Sequence, residues 1–143
     1  MPSEIKSFCI VCVANYCRSP VIERLLKDTY DNHEFYSAGL SPMYKPEMDK
    51  RSRQFLNNIN ISSGLHLPKK LNLKMLKYFD VILAVDLFVL SELNKKYPKF
   101  HSKFKLFNSQ FPDYEIRDPY KMNEEDYSKV MSDIHFVAEN IDL

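Results

Sequence analysis

A chain of 143 residues, 45% of them apolar, is long enough to bury a core without disulfide or metal staples. Its 20 lysines and arginines nearly balance 19 aspartates and glutamates, and the formal net charge of +1 argues against a nucleic-acid or anionic-membrane surface. The three cysteines all fall between positions 9 and 17, which rules out a disulfide framework, and no His or Cys cluster completes a structural zinc site.

The first apolar run, residues 8–14, is too short to span a membrane and lacks the flanks of a signal peptide, so the chain reads as soluble and cytoplasmic. No repeat or linker interrupts it, which points to a single domain over residues 1–143. Residues 6–13 read as a buried strand. A helix over 20–31 follows, with Ser19 read as its N-cap and Pro20 as its first residue. Residues 34–38 form a second strand and 47–58 a second helix. The run at 79–85 is the most β-like, with Val81, Ile82 and Leu83 in succession, as in a strand covered on both faces. Asp86 caps a helix to Lys96, and Tyr97-Pro98 stops it. Residues 104–107 make a fourth strand. The last helix starts near Asn123, and its stripe Tyr127, Val130, Met131, Ile134, Val137 and Ile141 is core. This alternation predicts an α/β three-layer sandwich: a central four-stranded parallel sheet, helices on both faces, and a phosphate-binding loop after strand 1. Ligands in such sheets bind beyond the carboxyl ends of the strands, where Cys12 falls.

The loop Cys12-Val13-Ala14-Asn15-Tyr16-Cys17-Arg18-Ser19 lies between that strand end and a helix start. Unpaired N–H groups and the helix dipole there favour a phosphate-like dianion. The same surroundings favour a thiolate, so Cys12 has the makings of an activated nucleophile. Arg18 can offer two parallel N–H groups to phosphoryl oxygens, a fork that lysine lacks. Ser19 can hydrogen-bond the thiolate, cap the helix, or do both. Asn15 suits a left-handed loop residue.

Cys-x5-Arg-Ser-Pro near the N-terminus resembles the low-molecular-weight protein tyrosine phosphatases. The likeness continues in order through Glu23, Ser37-Ala38-Gly39, Asp49, Arg51-Ser52, His66, the run from Phe79 to Asp86, and Asp118-Pro119-Tyr120. The resemblance implies that Cys12 attacks phosphorus, Arg18 holds the equatorial oxygens, and Asp118 protonates the departing phenolate. Water would then hydrolyse the phosphocysteine, with Asp118 as base and with no metal or cofactor. It also implies a reversible disulfide between Cys17 and Cys12 as protection from oxidation; Cys17 equally suits a small buried residue under the loop. Tyr120 is expected as one wall of the substrate pocket, with Met43 and Tyr44 opposite. The partner implied is a phosphotyrosine-containing protein, a tyrosine kinase among the candidates, with no nucleic acid or membrane and the monomer as default. His66 is expected to make a structural hydrogen bond.

Three positions depart from the family pattern. Ala14 stands where glycine is usual, at a cost on the order of 1 kcal/mol if the position needs positive φ. Tyr16 replaces a small or aliphatic residue and does not support the phosphoarginine branch, which carries Thr. Lys121 takes the place of a second aromatic. Two alternatives stay open: an arsenate reductase-like thiol enzyme, though no cysteine after Cys17 supports an internal relay, and a degenerate phosphoprotein-binding module.

Overall fold

The computed structural model describes residues 4–45 and 47–143. Four strands, β1 (Ser7–Cys12), β2 (Glu34–Gly39), β3 (Val81–Ala84) and β4 (Phe104–Leu106), pair in parallel in the order β2-β1-β3-β4. Every residue of β1 is buried, as expected for a strand paired on both sides and covered on both faces. The outer strand β2 instead alternates at its start, with Glu34 and Tyr36 exposed around buried Phe35.

The helices are α1 (Ser19–Thr29), α2 (Lys50–Asn58), α3 (Leu73–Tyr78), α4 (Leu87–Lys96) and α5 (Glu124–Asn140), with a 3₁₀ turn at Pro98–Lys103. From β1 the chain crosses one way to β2, then later the other way to β3 and β4. Right-handed crossovers therefore put α1 and α4 on opposite faces of the sheet. Helix α5 packs on α1 and α2, while α4 packs on β3 and β4. The α/β three-layer expectation holds. The strand order reverses between β1 and β3, which leaves a crevice at the carboxyl end of β1.

Several boundaries differ from the sequence reading for identifiable reasons. Arg18, not Ser19, occupies the N-cap of α1; it has αR dihedrals and makes no side-chain cap. The Ser19 hydroxyl is committed to Cys12 instead. Helix α2 begins at Lys50 because Asp49 accepts the Arg51 N–H as its cap, and Glu47, at φ 79°, cannot be helical. Helix α3 escapes the sequence reading because six residues are too few for an apolar period to register. Asp86 does cap α4, accepting from the Val89 N–H at 2.8 Å. Asn123 caps α5 through the Asp126 N–H, and the whole predicted stripe from Tyr127 to Ile141 is buried.

Candidate active site

Between β1 and α1 the chain makes a loop whose carbonyls are all held from outside. Cys12, Val13 and Ala14 accept the N–H groups of Leu40, Ser41 and Met43 at 3.0, 2.8 and 2.9 Å. Asn15 accepts from His66 Nε2 at 2.8 Å, Tyr16 from the Asp49 N–H at 3.0 Å, and Cys17 from Ser52 Oγ at 2.8 Å. Because C=O and N–H of one peptide plane point opposite ways, pulling the carbonyls outward turns the N–H groups inward. The result is a preformed anion cradle. Asn15 is its pivot, at φ 53° and fully buried. Ala14 is not among the positive-φ residues, so its methyl carries no backbone strain.

Cys12 Sγ lies at the base of the cradle. It accepts the Asn15 N–H at 3.1 Å and sits 2.9 Å from Ser19 Oγ. Asn15 Nδ2 donates to Ser19 Oγ at 2.8 Å, which orients the serine proton toward sulfur. The other Nδ2 proton goes to Ser37 Oγ at 3.0 Å, and Ser37 donates to the buried Glu23 carboxylate. Burial pushes the Glu23 carboxyl up, but the Arg24 charge and the hydrogen bonds from Lys27 and Ser37 outweigh it, leaving the group below its ordinary value. Every donor along this line is thereby fixed, with a carboxylate as its anchor.

Arg18 is 3% exposed and donates through Nη1 to Asp86 Oδ2 at 2.6 Å and to the Ile116 carbonyl at 2.9 Å. Both bonds use one nitrogen, which leaves the Nε–Nη2 edge as the fork for two phosphoryl oxygens. Asp118 lies on the connection between β4 and α5, where its Oδ1 accepts the Tyr120 N–H at 3.2 Å. Arg51 straps that connection to α2, donating to the carbonyls of Tyr120 and Met122 at 2.8 and 2.7 Å while held by Asp49.

Cys12, Arg18, Tyr16, Met43, Asp118 and Tyr120 line one small cavity of about 90 Å³. Val13, Ala14 and buried Cys17 line it as well. Tyr16 meets Tyr120 edge to face, with ring centroids 6.1 Å apart, and Lys45 Nζ stands 5.9 Å from the Tyr16 ring. Of the two residues expected on the opposite wall, Met43 lines the cavity, whereas Tyr44 is fully exposed and does not. The Met43 N–H bond to Ala14 fixes which of the two adjacent side chains turns inward. Among the described residues no group of three or more His, Cys, Asp and Glu side chains is arranged to hold a metal ion.

The sequence from residue 7 to 141 matches the family model described as low molecular weight phosphotyrosine protein phosphatase. The chain belongs to that family. The phosphatase is 33% identical over 122 residues to the low molecular weight protein-tyrosine-phosphatase Ptp of Acinetobacter johnsonii, covering 85% of this chain and 84% of the relative. It superposes on the crystal structure of the Erwinia amylovora tyrosine phosphatase AmsI with a TM-score of 0.88 at 28% identity, covering 96% of this chain and 91% of that one. Vibrio vulnificus Wzb, solved in complex with benzylphosphonate, matches with a TM-score of 0.87 at 25% identity, covering 95% and 96%.

Within the phosphatase, Cys17 lies under the cradle, its Sγ 3.9 Å from Asp49 Oδ2. Burial, with the Asp49 charge adding to it, pushes the Cys17 thiol up to about 12. All three cysteines are free. Four residues that matched the family pattern in the sequence without a role at the site receive one here: Asp86 as the partner of Arg18, Arg51 as the strap, and Ser37 with Glu23 as the anchor. Their types are ordinary, and it is long-range contact that assigns these roles. The one local signal was the Asp86 cap, which fixes its carboxylate at the carboxyl end of β3.

Proposed function

We propose that this phosphatase hydrolyses phosphotyrosine in proteins through a phosphocysteine. The observation that carries the reading is the single cavity shared by Cys12, Arg18, Asp118 and the ring of Tyr120. In the first step Cys12 sulfur bonds to phosphorus, the phosphorus–phenol oxygen bond breaks, and Asp118 gives its proton to the leaving oxygen. The inward N–H groups of Val13 to Arg18 and the Arg18 fork take the charge on the equatorial oxygens. In the second step water bonds to phosphorus, Asp118 takes its proton, and the sulfur–phosphorus bond breaks. Ser19 then stabilises the departing thiolate through the hydrogen bond already in place.

Support for an aromatic leaving group comes from Tyr120 and Tyr16, whose rings flank the cavity mouth, and from the benzylphosphonate bound by the Wzb relative. A binding module needs the cradle but gains nothing from a positioned nucleophile and acid, so that alternative is not favoured. We further propose that the fold acts as one monomeric catalytic domain in the cytoplasm, on phosphotyrosine proteins that include tyrosine kinases. No helix among the described residues is long and apolar enough to cross a membrane.

The test is hydrolysis of p-nitrophenyl phosphate and of a phosphotyrosine peptide under reducing conditions. Wild type should turn over both, and Cys12→Ser neither. Asp118→Asn should lower kcat on the peptide by about 10²-fold or more, because tyrosine is a poor unprotonated leaving group, and by less on the aryl phosphate. Full activity of Cys12→Ser would sink the phosphocysteine route.

A further inference from the structure

The catalytic cavity of about 90 Å³ takes a phosphate and the base of a ring, and nothing more of a protein substrate. On the far side of Asp118 lies a groove of about 790 Å³, and Asp118 lines both. Its floor is made by Val85 and Leu106, at the carboxyl ends of β3 and β4, and by buried Ile116. One lip is the start of α4, where Leu87 and Phe88 are 70% and 60% exposed. Pro112, Glu115 and Arg117 line the groove as well.

This groove continues the established site along the line of strand ends where open α/β sheets bind ligands. Asp86, which fixes Arg18, belongs to its wall as well. The Tyr16–Tyr120 pair and Lys45 occupy another side of the mouth. A polypeptide that inserts phosphotyrosine beside Tyr120 therefore has the Asp118 side open to its continuing chain. An extended chain advances roughly 3.3–3.6 Å per residue, so side chains two to four residues away come over the groove.

We infer that this groove is a docking surface for the substrate polypeptide itself, selecting an apolar or aromatic side chain two to four residues from the phosphotyrosine. The inference rests on the phosphatase reading above and specifies its substrate. Exposed Leu87 and Phe88 over an apolar floor supply the attraction. Asp86 is already paired with Arg18 and Asp118 carries the proton it donates, so Glu115 is left to oppose an acidic side chain against the pull of Arg117, and such a residue gains nothing to offset its desolvation.

The experiment compares phosphotyrosine peptides that differ only in carrying Phe or Asp at each flanking position from two to four residues away on either side, with p-nitrophenyl phosphate as the reference too small to reach the groove. Wild type should prefer Phe over Asp in kcat/KM by roughly tenfold at one position or more. Phe88→Ala combined with Leu87→Ala should erase most of that preference and leave p-nitrophenyl phosphate hydrolysis unchanged. Both side chains are exposed, so neither truncation removes core packing. Glu115→Lys should separately relieve the penalty against Asp. Equal use of Phe and Asp peptides by wild type overturns the proposal, and so does a preference that survives all three substitutions. Failure of wild type on p-nitrophenyl phosphate would mean that the phosphatase reading has failed. Fluorescent phosphopeptides titrated against Cys12→Ser then decide the groove: a Phe88-dependent preference for Phe supports it, and its absence overturns it.

Discussion

Cys17 shows how much one side chain's surroundings decide about its chemistry. Its thiol faces the Asp49 carboxylate in a dry site and stays protonated at neutral pH. It is therefore no competitor for phosphorus, although it lines the same cavity as Cys12. Under peroxide, Cys12 would be oxidised to the sulfenic acid with release of water. Cys17 could then condense with it, losing a second water and leaving a disulfide that an external dithiol reduces. We expect wild type to recover activity on adding dithiothreitol after a peroxide pulse, and Cys17→Ala to recover much less. Capture should be faster at pH 9 than at pH 7, because the condensing group must lose its proton. Equal recovery of the two proteins would make Cys17 a filler of the loop's underside. The roles of Cys12 and Arg18 could be inferred from sequence because both sit in one short segment whose spacing is itself a geometry. Those of Asp86 and Arg51 could not, since their partners lie 68 to 71 positions away. The choice between Met43 and Tyr44 turned on a single loop hydrogen bond that no composition rule anticipates.

Among the elements, β2 matters less as a strand than as the mould of the cradle. The segment leaving it supplies the N–H groups that hold the first three carbonyls of the loop. Gly39, its last residue, is pressed against that loop. A Cβ there would lie 2.7 Å from the Val13 carbonyl oxygen, 3.0 Å from the Asn15 nitrogen and 3.1 Å from the Ala14 carbonyl carbon. All three are backbone atoms and cannot swing aside. Gly39→Ala should therefore displace the loop, lowering kcat/KM by about 10²-fold and weakening inhibition by inorganic phosphate or vanadate. The check is steady-state kinetics alongside a thermal melt, where the loss should be about 1–3 kcal/mol. Unchanged kinetics would show that the loop is not set by this contact. The strands and long helices were legible because their apolar periods are long. The short α3, the displaced start of α2 and the cap of α1 were not, because each depends on one side chain's bond or one backbone angle.

At the scale of the whole molecule, two buried groups tie the cradle to acid stability. Burial holds His66 below its ordinary 6.5, with the hydrogen bond to Asn15 opposing, and the Nε2–H form is the one that donates. Glu23 is likewise held below its ordinary 4.5. Each binds a proton less readily folded than unfolded. Its contribution is complete above the unfolded value and is lost as pH falls through the folded one. The melting temperature should thus be flat between about pH 7 and 8, decline below about 6.5, and decline again below about 4.5; the buried Cys9 and Cys17 thiols, both pushed up to about 12, make it fall as well above about pH 9. His66→Gln keeps a donor for the Asn15 carbonyl and should remove the first decline only. A variant that still shows that first step would assign it elsewhere.

The nucleophile stands at the end of β1, which is bonded along its length to β2 and β3. The acid rides on the connection that leaves β4, a strand of three residues at the margin of the sheet. Cooperative opening begins where the fewest backbone bonds must break, so the margin yields to denaturant before the centre does. The two halves of one catalytic cycle thus differ in local stability. In mild urea, amides of the connection around Asp118 should therefore exchange with solvent while those of β1 remain protected, and vanadate binding should outlast turnover as urea is raised.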